Sequence, residues 1–241
     1  MGNILEEIGG ARIKNVRVWL HMNFEIGSNK QLLIDAKLKE VREFKDRLGY
    51  PVDARIVEAV AMLQLLGLNT AGSCEGHVDE PGRMAPWVDV EAPNEPEYRY
   101  KGEQHITDTI LSEFGIDKNT LLDGETDAAM QAWEKLNRAL SHEEETEEYK
   151  QWTAENKRLA QKMKMIIAEY EQQEDIAKKG PITIDESGNG SVRIHTGGED
   201  FKRNSRDLAE SEKEEMRVRL QRSQEVMNVF IQYLRERFLH A

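Results

Sequence analysis

The sequence predicts an α+β (or α/β) protein in two parts. A small mixed N-terminal domain covers residues 1–124. A long antiparallel helical hairpin follows over 125–241, with a β-hairpin tip at about 181–196. Three observations predict this. Before Gly124, capped amphipathic helices alternate with short apolar strands. After it, two long stretches repeat their apolar residues at spacings of three and four. Between those stretches, two alternating runs meet at a turn rich in Gly and Asn.

The elements follow in chain order. In "VRVWLHM", Val16, Val18 and Leu20 alternate with Arg17 and Trp19, the period of a strand. Ser28 and Gln31 form a capping box that opens a helix to Leu48, with Ile34, Leu38 and Val41 on one face. Gly49 and Pro51 end that helix, and Pro51 starts the next, whose stripe is Val52, Ile56, Val60 and Leu63 up to Gly67. Short strands are expected at Leu68–Ser73 and Trp87–Glu91. A helix carrying Ile106, Ile110 and Phe114 stops at Gly115.

Beyond Gly124, Thr126 caps a helix with Ala129, Trp133, Leu136 and Leu140 on one side. A longer helix carries Tyr149, Trp152, Asn156, Leu159, Met163, Ile166, Tyr170, Gln173 and Ala177 as a coiled-coil-like seam with two polar interruptions. "ITIDESGNGSVRIHT" reads as a β-hairpin turning at Ser187–Gly190, with His195 an exposed strand residue of no assigned role. The last helix repeats the seam with Met216, Leu220, Ser223, Met227, Phe230 and Leu234.

Composition bounds the function. Among 241 residues, 45 acids against 33 bases give a net charge of −12, which disfavours nucleic acid as a partner because phosphate binding runs on Lys and Arg. One cysteine excludes an internal disulfide and points to a reducing, cytoplasmic setting. The N-terminal residues lack the basic-then-apolar order of a signal peptide. The most apolar run, "AVAMLQLLGL", is too short to span a membrane.

The chemistry concentrates in "GLNTAGSCEGHVDE", residues 67–80. Cys74 and His77 have the spacing of half a zinc site, with Glu75, Asp79, Asp89, Glu91 and His105 as further donors in the sequence. The same pair suits a cysteine nucleophile with a histidine base, and equally a buried structural thiol beside a backbone-bonded imidazole. Thr70, Ser73, Glu75 and Gly76 place polar groups and backbone N–H where a small ligand can be cradled. Arg83 offers a cation for an anionic group, and Trp87 a stacking face.

These residues carry a resemblance. "LQLLGLNT", "AGSCEGH" and "PWVDVEAP" together look like a family of uncharacterised bacterial proteins with a Ser-Cys-Glu-Gly-His motif before a Pro-Trp strand. More distantly, Pro51 to about Pro93 is similar to the methyltransferase-like enzymes of tRNA wybutosine synthesis. In those enzymes an acidic residue opens a helix, and Thr, Ser, Cys and Gly recur in a tight loop; Thr70, Ser73, Cys74 and Gly76 match them. His77 stands where that family tends to carry Arg. The resemblance implies S-adenosylmethionine binding and an α/β fold.

The leading expectation is a small-ligand or metal site in the Ser73–His77 loop, with Cys74 and His77 as its reactive or metal-binding pair and zinc or S-adenosylmethionine as cofactor. The alternative is a non-enzymatic protein whose helical hairpin forms a homo-oligomer or docks on a protein partner.

Overall fold

The computed structural model describes residues 29–45, 49–80, 82–173 and 180–240. The strand expected at Val16–Leu20 and the Ser28 cap lie outside these residues. So do Leu48, Ala177 and the junction at 46–48.

The fold is α+β. The chain is helical over 29–43 (α1), then forms α2 (Val57–Leu65), β1 (Thr70–Cys74) and β2 (Trp87–Val90). Three helices follow, α3 (Glu103–Phe114), α4 (Lys118–Asp123) and α5 (Asp127–Leu140), and then the long α6 (Glu147–Glu171). The chain closes with β3 (Thr183–Glu186), β4 (Val192–His195), the short α7 (Glu199–Lys202) and α8 (Glu210–His240).

Several starts and stops have a local cause. Thr126 Oγ1 accepts from the Ala129 N–H, Thr146 Oγ1 from Tyr149 N–H, and the Asp117 carboxylate from Thr120 N–H. Each such cap satisfies a helix N–H that has no partner within the helix. Gly115 and Gly124 close α3 and α4 in left-handed geometry. Helix α2 begins at Val57, later than the sequence pattern predicts. Residues 53–56 form a turn instead, in which Ile56 N–H donates to the Asp53 carbonyl.

The four strands form one antiparallel sheet in the order β1-β2-β4-β3. The expected hairpin is present as β3 and β4, with Ile184 opposite Ile194. It is not a tip beyond the helices: β4 pairs along its length with β2, Val88 opposite Ile194 and Val90 opposite Val192. The reason is visible in the alternation. Val88, Val90, Val192 and Ile194 all face one side and are buried, which fixes the register of both pairings at once. The opposite face carries Trp87, Asp89, Arg193 and His195.

The apolar face packs into a core shared by α1, α2, α6 and α8, with Ile34, Val60, Leu159, Met163, Met227 and Phe230 among its members. Most of the two long seams predicted from spacing is consumed here, while Met216 and Leu220 of the second pack in a separate cluster with Val78 and Met84. Tyr170 meets Phe230 edge-on at 5.0 Å and Tyr233 at 5.3 Å. Asn156, a polar interruption of the seam, is fully buried: its Oδ1 accepts from Ala92 N–H at 2.6 Å and its Nδ2 donates to the Asn189 carbonyl at 3.3 Å. It ties the end of β2 and the hairpin turn to α6.

A second cluster joins Ile110 and Leu121 to Ala132, Leu136 and Leu140. The expected boundary at residue 124 therefore falls between α4 and α5, which share this small core.

His195, expected to be exposed, is 2% exposed. Phe201 from α7 stacks on its ring at 3.9 Å, and Asp185 Oδ2 lies 3.2 Å from its Nε2 without hydrogen-bond alignment.

Candidate metal centre

Strand β1 delivers Cys74 at its last residue, and the chain then turns back through Gly76 to reach β2. Gly76 has φ +84°. A Cβ there would sit 2.7 Å from Leu220 Cδ1 and 3.0 Å from the Ala85 carbonyl carbon. Only glycine fits this turn without strain, and the turn directs His77 back toward Cys74. His77 N–H donates to the Arg83 carbonyl at 2.9 Å, which closes the loop at its base.

The third member comes from elsewhere in the chain. Asp53, in the turn before α2, places Oδ2 3.5 Å from His77 Nε2 and 3.1 Å from Glu75 N, whose N–H it accepts. The Glu75 carboxylate returns a bond by accepting from Arg55 N–H at 2.9 Å. Two loops distant in sequence are thereby latched together. Gln224 of α8 braces the latch: its Nε2 donates to the Glu75 carbonyl at 3.0 Å, and its Oε1 accepts from the Arg55 guanidinium.

One donor atom from each of Asp53, Cys74 and His77 lies within 4.8 Å of the others. Cys74 is buried, whereas the His77 and Asp53 side chains are 24% and 34% exposed. The cluster is thus anchored on a sheltered sulfur and open on one side to solvent. His77 Nδ1 stands 4.0 Å from the exposed Glu80 carboxylate, beyond hydrogen-bond reach.

Burial is the main reason the Cys74 thiol is pushed up to about 11, with the Asp53 carboxylate adding to it by charge and hydrogen bonding. Gly76 N–H, 3.3 Å from the sulfur, works in the other direction. Without a cation, this sulfur stays protonated at neutral pH. That environment opposes a free thiolate nucleophile and suits a thiol that ionises only when a cation arrives.

The other residues singled out from sequence divide between two places. Thr70, Ser73 and Trp87 line a cleft of about 860 Å³ along the outer edge of β1. Thr70 Oγ1 accepts from Gln64 Nε2 at 2.9 Å. Arg83 does not join them. Its guanidinium donates to the Lys202 carbonyl and lies over the Phe201 ring, beside a separate polar cavity of about 470 Å³ on the sheet's other face. Glu75 and Gly76 shape the latch. Asp79 turns away to Arg217 at 2.6 Å, and Asp89 makes a two-pronged pair with Arg193 at 2.6 and 2.7 Å, so neither serves the cluster.

Asp53 is the residue that spacing missed. It lies 21 positions before Cys74, and its one visible signal is an acid placed just after Pro51 at a helix entrance.

Fold and site together define an α+β protein with an Asp-Cys-His donor cluster at the end of β1, an edge strand among the described residues. No protein-family model, curated protein or solved structure matches the chain.

Proposed function

We propose that this protein binds a zinc-type divalent cation through Asp53, Cys74 and His77, leaving one coordination position open to water or a ligand. The observation that carries this reading is the convergence of a carboxylate, a thiol and an imidazole from two separate loops. In a tetrahedral site with bonds near 2.0–2.3 Å, neighbouring donor atoms stand about 3.3–3.7 Å apart. The 3.5 Å between His77 Nε2 and Asp53 Oδ2 meets that spacing, and the 4.8 Å limit on the whole group requires only small side-chain adjustment. Oxygen, nitrogen and sulfur in one set suit zinc better than magnesium or calcium, which take oxygen alone.

Three protein donors with one open side is the pattern of a catalytic rather than a structural zinc. A bound zinc supplies a water of lowered pKa and a Lewis acid for a carbonyl or phosphoryl oxygen. The chain's own residues contribute the holding geometry. Burial shields the sulfur, and the Glu75 N–H orients Asp53.

Native mass spectrometry tests the proposal directly. Purified protein should take up one zinc per chain, and Cys74→Ser or His77→Ala should abolish that uptake while the circular dichroism spectrum stays folded. Stoichiometric zinc on a folded double variant lacking both side chains would refute it.

A further inference from the structure

Helix α8 has two kinds of neighbour. Met227, Phe230, Ile231 and Leu234 lie in the main core, where Phe230 meets Tyr170. Residues 210–222 stand apart from it. Met216 is buried with Val78 and Met84 in a small separate cluster, and Leu208 and Leu220 pack against its side. Arg217 pairs with Asp79 at 2.6 Å, and Leu220 comes up against the backbone of the Gly76 turn. This stretch of α8 therefore leans on the residues that follow Cys74.

Its other ties lead back to the same loop. Arg219 reaches Asp200 at 3.1 Å and Glu212 pairs with Arg203 at 3.0 Å. The segment carrying those two partners is fastened to residues 82 and 83. Ser205 N–H donates to the Gly82 carbonyl at 3.1 Å, Gly82 N–H donates to Ser205 Oγ at 3.1 Å, and the Arg83 guanidinium donates to the Lys202 carbonyl at 3.0 Å. A stretch held by so few buried apolar groups opens locally at a lower free energy than the core, and stiffening its support raises that free energy.

The donor cluster joins this loop to the body of the protein. Asp53 lies just before α2, whose Val57 and Val60 belong to the main core, and Cys74 ends a strand paired with β2. His77 lies in the loop itself, one residue after the Gly76 turn that Leu220 touches. A cation shared by Asp53, Cys74 and His77 cross-links the two.

We infer that cation binding at this centre clasps residues 210–222 to the body of the protein, which makes the N-terminal stretch of α8 a metal-responsive element. This rests on the zinc reading for the ligand and adds where in the molecule its binding is felt. Such coupling is reciprocal, so loosening 210–222 weakens cation binding by the factor that the cation tightens 210–222.

Hydrogen exchange of the full chain, with and without one equivalent of zinc, tests the inference, and native mass spectrometry of the same samples reads zinc uptake. Zinc should slow exchange over 210–222 by about tenfold or more and leave 227–234 within about twofold. One zinc bound per chain with exchange over 210–222 unchanged would overturn the inference and leave the zinc reading standing. Equal slowing over both stretches would overturn it as well, because the cation would then stabilise the whole fold. No uptake would overturn the zinc reading and the inference with it. Met216→Ala and Arg217→Ala, neither of them a donor, should speed exchange over 210–222 and weaken zinc binding by about fivefold or more. Faster exchange in both variants with wild-type zinc affinity would show the two regions to be uncoupled.

Discussion

Asp53 and His77 face each other across the latch between two loops, with Oδ2 and Nε2 3.5 Å apart. Neither loop supplies a site alone; the contact exists because Asp53 also accepts the Glu75 N–H. The cluster should therefore respond to its outer support as well as to its donors. With cobalt in place of zinc, the sulfur-to-metal charge-transfer band should appear in the wild type and vanish in Cys74→Ser. Gln224→Ala, which removes the brace on the Glu75 carbonyl, should keep the band and lower metal affinity by roughly 10-fold. An unchanged band in Cys74→Ser would remove the sulfur from the site.

The elevated Cys74 pKa makes a prediction about pH in the metal-free protein. Its thiol is pushed up to about 11 in the folded chain, from an ordinary value of 9.0. Below about pH 9 both folded and unfolded thiols are neutral, and the contribution is fully present. Above that, the unfolded chain releases its proton while the folded chain keeps it, so stability is lost as pH rises toward the folded value. Between about pH 8 and 10, urea melts of the wild type should lose about 1 kcal/mol more than those of Cys74→Ser. Asp53→Asn should bring iodoacetamide alkylation of Cys74 to lower pH, since the Asp53 charge helps hold the thiol up. A rate midpoint unmoved by that change would contradict the arrangement.

Gly76 is the hinge that points His77 inward. Gly76→Ala adds left-handed backbone strain and a methyl group against Leu220 and the Ala85 backbone. The expected loss is about 2 kcal/mol or more in chemical denaturation. Combining it with Leu220→Ala should recover part of that loss, because one of the two contacts is removed and the Ala85 contact is not. Full additivity of the two substitutions would show that they do not meet.

Asn156 reports on how the sheet is fastened to α6. Asn156→Leu keeps the branched shape but leaves Ala92 N–H without its buried acceptor. The variant should unfold about 1–3 kcal/mol more easily, and hydrogen exchange at Ala92 should accelerate selectively. Slow exchange at Ala92 in the variant would mean that another acceptor replaces the asparagine.

Much of the local structure was legible in the residues. The cap at Thr126, the stop at Gly115, the strand at Trp87 and the hairpin around Ser187–Gly190 all depend on groups within a few positions of each other. The seam residues of α6 and α8 were legible too, because helical spacing marks a buried face whatever it packs against. Their destination was not. A seam from Tyr149 to Tyr170 suits a hairpin, an oligomer or a core equally well, and packing chose the core.

By itself, then, the sequence determined most of the described helices and strands but not α4 or the late start of α2, which faces are apolar, and that Cys74 and His77 share a tight glycine turn. Tertiary structure alone decided that β4 lies against β2, that His195 is buried, and that Asp53 completes the donor set. The physical reason is range. Hydrogen-bonded caps and period-two or period-3.6 patterns are written within a few residues, whereas a carboxylate 21 positions away enters the site only after α2, the sheet and Gln224 of α8 have packed around the same loop.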